Sequence, residues 1–304
     1  MKNFIKKIAS RLPYLGPLYR EVALYKKGYP PGHYYSPIVS PAEVKAQEDE
    51  LFIIHSNEIP GIALNEQSQL HLLNNLVTNY SSIPFDREKK TGFRYHYHNN
   101  AYAYSDGIFL NLMMRHFRPK RIIEIGSGYS SVAMMDNNEL FFNNAIDITF
   151  IEPFPERFYS LCKPGDRDKN TIIVKNLQEV DLSLFETLGE GDFLFVDSTH
   201  VSKTGSDVNK ILFQVLPLLK KGVIIHFHDI FYPFEYPKEW VLGWSGFGWN
   251  EIYLLKAFLM HNNNYEIVLF NTFLEHFHEE WFRKNMPLCL EDRGGALWIR
   301  KLAE

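Results

Sequence analysis

Four short stretches of this chain pair residue types that can do chemistry with a spacing that gathers them. In Glu124-Ile125-Gly126-Ser127-Gly128-Tyr129-Ser130-Ser131 two glycines follow an apolar run directly. A glycine turn between a buried strand and a helix lets main chain approach a ligand closely, and the helix N-terminus favours anionic or polar groups there. The same glycine pair serves several nucleotide ligands, and it also makes a plain tight turn. Ser131 occupies the place where a dinucleotide pattern wants a third glycine, which counts against a nicotinamide cofactor. Glu152 ends the next apolar run, where a carboxylate can accept hydrogen bonds from both hydroxyls of a ribose. Phe195-Val196-Asp197 and Phe227-His228-Asp229 each close an apolar run with an acid, and His200 follows the first of them by three residues.

Two carboxylates and nearby imidazoles at strand ends offer two kinds of chemistry. Asp197 and Asp229, joined by His200 or His228, have the hard donors of a divalent-ion site for Mg2+ or another such ion. The residue after the second acid is Ile230 and supplies no further carboxylate. Alternatively His200 or His228 acts directly as a general base, because imidazole titrates near neutrality. Strand alternation puts His226 and His228 on one face and Phe227 with Asp229 on the other, so at most one of these two histidines faces the chemistry. A buried histidine bonded to backbone is the commoner fate.

These residues need a scaffold that brings strand ends together. Apolar runs at Arg121–Ile125, Ile148–Ile151, 171–174, Phe193–Val196, 223–227, Ile267–Phe270 and Ala296–Ile299 read as buried strands. Helical intervals separate the early ones, including a periodic segment from Asp207 to Leu219. The rhythm predicts an α/β fold with a doubly wound, mostly parallel seven-stranded sheet. Open sheets of this kind bind ligands at the carboxyl ends of their strands, where Asp197 and Asp229 fall. Ser105 to Phe117 reads as a helix closed by Pro119, and the second half of Leu51 to Tyr80 as another. The pattern predicts an N-terminal extension over residues 1–92 and the α/β domain over residues 93–304.

The extension begins with a basic amphipathic stretch through Lys2, Phe4, Ile5, Lys6, Lys7, Ile8, Arg11 and Leu12. Such a helix packs its apolar stripe on the protein's own body, or rests on an anionic membrane surface as a peripheral contact. Tyr29 to Pro37, rich in proline and tyrosine, reads as irregular strap. A second irregular stretch, Phe231 to Glu251, carries two prolines among many aromatics and reads as a loop covering an acceptor. Tyr102, Tyr104, Ser105 and Asp106 line the opposite wall. With 45% hydrophobic and 22% charged residues the chain is an ordinary globular protein, and a net charge of -4 gives no reason to expect nucleic acid as partner. Two distant cysteines, Cys162 and Cys289, suit a reducing compartment, and no run reaches the length of a bilayer span, so the expected location is cytoplasmic or membrane-peripheral. The sequence leaves the oligomeric state open.

The ordered set of glycine turn, acidic second strand end, Val196-Asp197-Ser198-Thr199-His200 and His226-Phe227-His228-Asp229-Ile230-Phe231 resembles the class I, Rossmann-like S-adenosylmethionine-dependent methyltransferases. It is closest to a bacterial branch with the same three motifs, and the resemblance spans roughly residues 95–301. It implies an antiparallel last strand forming a hairpin with its predecessor. It also implies cofactor contacts at Glu124, Gly126, Gly128, Ser130 and Asp197, a ribose contact at Glu152, and adenine recognition near Leu177 and Gln178. The activity it implies is methyl transfer, here to the oxygen of a small or glycan-like hydroxyl acceptor. Asp197, His200 and His228 are then the catalytic groups and Asp197 and Asp229 the metal ligands. An NAD-dependent oxidoreductase and a non-catalytic adenosylmethionine-binding protein are the alternatives.

Overall fold

The computed structural model describes residues 32–243 and 248–303, with isolated positions before residue 30. The amphipathic stretch of residues 1–12, Pro30 and Pro31 of the strap, and Trp244 to Phe247 of the aromatic loop lie outside the described residues.

Seven strands form one sheet: β1 (Arg121–Ile125), β2 (Asp147–Ile151), β3 (Thr171–Ile173), β4 (Phe193–Val196), β5 (Ile224–His228), β6 (Tyr265–Phe270) and β7 (Ala296–Lys301). Their spatial order is β3-β2-β1-β4-β5-β7-β6. The pairs β1 with β2 and β4, β2 with β3, and β4 with β5 are parallel, while β7 runs antiparallel to both β5 and β6. The continuous apolar runs have this cause: in β4 and β5 every residue is buried, because a parallel sheet is covered on both faces. Full burial of each such Ile, Leu or Phe side chain contributes about 1.5–3 kcal/mol.

The helices that matter to the site are α1 (Glu66–Leu76), α2 (Tyr104–Phe117), α3 (Tyr129–Phe142), α4 (Glu156–Leu161), α5 (Asp207–Lys210), α6 (Glu251–Leu259), α7 (Asn271–Phe277) and α8 (Glu279–Asn285). Arg118 ends α2 in the left-handed conformation at φ 52, just before Pro119 bars further helix. The periodic segment from Asp207 is interrupted: α5 passes through a π-turn over Ile211–Val215 before a last helical turn at Leu216–Leu218. Between β6 and β7 the chain makes α7, α8 and a 3-10 turn at Pro287–Leu290, so the antiparallel pair is joined by a helical excursion and not by a tight hairpin.

The chain divides into two compact units, one of residues 1–53 with Tyr236–Gly248, the other of residues 54–235 with 249–304. The larger contains the whole sheet and takes in residues 54–92, which the sequence division placed in the extension. Gln69 of α1 shows why: its side chain is fully buried, donates to the Leu64 carbonyl at 2.6 Å and accepts from the Phe270 amide at 2.8 Å. In the smaller unit Ser40 caps the short helix Pro41–Ala46, and Lys238 pairs with Glu48 at 3.0 Å.

Candidate active site

The turn after β1 is shaped by two close approaches. Gly126 has φ +83, and a Cβ there would lie 1.7 Å from the main-chain oxygen of Asp197, so the end of β4 passes directly against the turn. Gly128 is different, since a Cβ would meet only Arg157 Cδ at 3.9 Å. Beneath the turn Glu124 is fully buried and accepts from Ser130 Oγ at 2.6 Å and from Ser131 Oγ, while Ser131 Oγ itself accepts from the Gly128 amide at 2.9 Å. Ser131 therefore does structural work that a third glycine could not. Burial pushes the Glu124 carboxyl up to about 8 against the help of both hydroxyls. The structure thus places Glu124 and Ser130 underneath the turn, where they set its shape.

Above it, Glu152 is half-buried at the end of β2, taking the Ser127 amide on one oxygen at 3.0 Å and the Phe154 amide on the other at 2.8 Å. Each oxygen keeps a lone pair for a ribose hydroxyl. Ser127 Oγ is buried with no hydrogen-bond partner among the described residues. A left-handed glycine, an orphaned hydroxyl and a carboxylate with spare acceptor capacity fit an adenosyl cofactor. Leu177 and Gln178 lie in a 3-10 turn after β3; Leu177 is buried, and Gln178 Nε2 donates to the Gly205 carbonyl at 2.7 Å.

A second group of polar side chains gathers at the ends of β4 and β5. Thr199 is fixed to Asp207 through its amide at 3.1 Å and its hydroxyl at 2.6 Å, and His200 follows in the left-handed region at φ 58. Asn250 and Glu251 donate their amides to the His200 carbonyl at 3.0 and 3.1 Å. The His200 ring, 3% exposed as a residue, packs on Trp249 at 4.5 Å between centroids and meets Glu251 Oε2 with Nδ1 at 2.9 Å. Its Nε2 faces Asp197 Oδ1 at 3.6 Å and Asp229 Oδ2 at 3.5 Å.

Asp229 departs from strand alternation. Its φ of 57 turns the chain at the end of β5 and brings Oδ1 within 3.5 Å of His228 Nε2. Regular alternation would set these two residues on opposite faces; the left-handed backbone places them together. His226 is fully buried, stacked on Phe195 at 3.9 Å, and burial holds it well below the ordinary imidazole range. Burial also opposes charge on His228, but Asp229, Asp197 and Asp106 outweigh it and raise it to about 9. Burial likewise opposes ionisation of Asp197, and the charges of His228 and His200 override it, holding the carboxyl at about 2. Tyr102 closes the other wall with its ring 5.1 Å from His228, and its hydroxyl is buried with no partner among the described residues. Asp106 lies against Gly294, and burial pushes it up to about 7.

Asp197, His200, His228 and Asp229 are thus gathered beside the cofactor turn, and Gln178 is tied to Gly205 in the loop that follows β4. Glu251 and Trp249 escaped the sequence reading because they sit in the aromatic stretch taken as an acceptor cover. Of that stretch, Tyr236–Gly248 belongs to the smaller unit.

A seven-stranded sheet of this order with a left-handed glycine turn after β1 defines a class I nucleoside-binding fold. A family model described as a methyltransferase domain matches residues 123–230, from β1 through both acidic strand ends. An uncharacterized protein of Archaeoglobus fulgidus is 37% identical over 193 residues, covering 62% of this chain and 85% of that one. Similar solved structures include an S-adenosylhomocysteine-bound methyltransferase of Podospora anserina, at 19% identity, 86% of this chain, 94% of that chain and a TM-score of 0.42. Another is an O-methyltransferase of Bacillus cereus in complex with S-adenosylhomocysteine, at 12% identity, 86% of this chain, 97% of that chain and a TM-score of 0.41. The chain belongs to the methyltransferase-domain family and is an S-adenosylmethionine-dependent methyltransferase of the class I, Rossmann-like type. Among the described residues no helix is long and apolar enough to cross a membrane.

Proposed function

We propose that the chain methylates the oxygen of a small or glycan-like hydroxyl acceptor, with Asp197, His200, His228 and Asp229 at the reaction centre. The observation that carries this reading is the convergence of two imidazoles and two carboxylates beside the cofactor turn. A hydroxyl is a poor nucleophile until its proton is drawn away, and it gives that proton up far less readily than a thiol, so its methylation depends most on such a group. Bound S-adenosylmethionine supplies the electrophilic methyl group: the acceptor oxygen forms the new C–O bond as the methyl–sulfur bond breaks, leaving S-adenosylhomocysteine.

In this reading Gly126, Gly128 and Ser127 line the cofactor and Glu152 takes its ribose. His200 or His228 receives the acceptor proton in its neutral form, a form that for His228 grows as the pH rises towards about 9, and Asp229, within reach of both rings, stabilises the imidazolium. Asp197 and Asp229 would hold a divalent ion, whose chemistry is to lower the acceptor's pKa.

The test is formation of S-adenosylhomocysteine in the presence of phenols, catechols and glycosides, with matched amines and thiols as comparison. Hydroxyl acceptors are expected to turn over, and His200→Ala and Asp229→Asn to lower kcat by about 10²–10⁴, with S-adenosylhomocysteine affinity held within a few-fold. Transfer to amines or thiols alone, or full turnover in both variants, would refute the reading.

A further inference from the structure

We infer that His200 is the third protein donor of a divalent-cation site with Asp197 and Asp229, that Glu251 positions it, and that the site prefers a first-row transition ion over Mg2+. The inference rests on the metal-assisted form of the function proposed above.

The residue after the second acid, Ile230, is fully buried in the core and brings no oxygen to the site. The vacancy in the donor set is met from the other strand end. One donor atom from each of Asp197, His200 and Asp229 lies within 4.8 Å of the others. His200 Nε2 stands 3.6 and 3.5 Å from the two carboxylates, beyond the range of a well-formed N–H···O bond to either. It faces the space between them. Nδ1, by contrast, is 2.9 Å from Glu251 Oε2, a good hydrogen bond. Burial opposes charge on this ring, but Asp197, Glu251 and Asp229 override it and hold the imidazole protonated; a cation between Asp197 and Asp229 would take the place of the Nε2 proton, while Nδ1–H stays on Glu251 Oε2. A carboxylate behind the outer nitrogen is the arrangement that orients metal-bound imidazoles and raises their basicity.

The surroundings make this orientation rigid. Glu251 has no exposed surface, and its amide and that of Asn250 hold the His200 carbonyl. Asn250 also clasps Ser202 through its side chain, accepting the amide at 2.6 Å and donating to the carbonyl at 3.2 Å. Trp249 covers the ring. Three consecutive residues therefore fix one histidine, on a loop whose backbone is itself left-handed at that position. His228 lies beside the other oxygen of Asp229 and outside this donor set. An imidazole among the donors favours transition ions, because Mg2+ demands oxygen ligands and gives up water reluctantly.

The experiment is calorimetric titration of the metal-stripped, tag-free chain with Co2+ and with Mg2+, together with the visible spectrum of the Co2+ form. S-adenosylhomocysteine binding is measured in parallel as the reporter of the folded site. Co2+ is expected to bind at least tenfold more tightly than Mg2+. His200→Ala is expected to remove most of that preference and shift the Co2+ bands. Glu251→Ala should weaken Co2+ by about 10–100-fold, and Glu251→Gln, which keeps an acceptor oxygen, by less. Should Glu251→Ala lose S-adenosylhomocysteine binding, Glu251→Gln decides, with a several-fold weakening expected. Equal affinity for the two ions, or Co2+ affinity untouched by the Glu251 substitution that retains the folded site, overturns the inference alone. If neither ion binds a chain that still binds S-adenosylhomocysteine, the inference falls together with metal assistance, while the cofactor assignment stands.

Discussion

Gly126 admits no side chain, and this is the sharpest constraint at the scale of single residues. Its left-handed φ would cost an alanine about 1–2 kcal/mol, and the Asp197 carbonyl oxygen lies where the methyl group would go. Gly126→Ala is therefore expected to lower the melting temperature by at least about 3 °C and to weaken S-adenosylhomocysteine by more than tenfold in calorimetry. Gly128→Ala, with an ordinary contact to Arg157 in prospect, should cost less on both measures. An equal loss at the two positions would contradict this account of the turn. The residues at strand ends were legible because acids closing apolar runs at the carboxyl edge have few structural uses. Their mutual geometry was not, since the left-handed backbone at His200 and Asp229 obeys no periodic pattern. Nor does any local signal tie Glu251 to a histidine 51 positions earlier.

Among the elements, the segment before α2 is held to α3 by one arginine. Arg94, 5% exposed, reaches Asp166 through Nε at 2.8 Å and Nη2 at 2.6 Å, and Asp136 through Nη1 at 2.6 Å, while its own amide and that of Tyr95 donate to Asp136 at 2.8 Å. Removing it would leave Asp136 with main-chain amides and the Lys163 ammonium at 3.8 Å, and Asp166 with the Lys163 amide, both without the guanidinium. Arg94→Ala is expected to destabilise the fold by about 3–5 kcal/mol in urea unfolding, and Arg94→Lys to recover little, because an ammonium cannot serve both acids in this forked geometry. A loss under about 1 kcal/mol would show the network to be dispensable. The parallel strands were readable as unbroken apolar runs, a consequence of burial on both faces. The packing of residues 54–92 against the sheet was not, because it runs through polar side chains such as Gln69 that look like surface residues in sequence.

For the molecule as a whole, buried titratable groups give stability a direction in pH. Asp106 and Glu124 ionise at about 7 and about 8 in the folded chain, against 3.8 and 4.5 ordinarily. His228 deprotonates at about 9 instead of 6.5. In each case the folded state holds a proton that the unfolded chain has released. Stability therefore falls with rising pH: from 3.8 to about 7 through Asp106, from 4.5 to about 8 through Glu124, and from 6.5 to about 9 through His228. His226, held well below the ordinary range, acts in the opposite sense below 6.5, so the decline in melting temperature is expected from neutral to alkaline buffer. Glu124→Gln should flatten part of that decline, gaining on the parent chain as the pH passes the Glu124 window. Parallel melting curves for the two chains across this range would exclude the assignment to Glu124.

The position of β7 between β5 and β6 has a consequence for biosynthesis. Synthesis runs from the N-terminus, so β5, whose end carries His228 and Asp229, leaves the ribosome with β4 as its only neighbour in the sheet. Its outer edge stays unpaired until Ala296–Lys301 has followed, after α6, β6, α7 and α8. The cofactor turn, built from β1, β2 and β4, can form early in translation. β5 gains its second neighbour in the sheet only once β7 has been made.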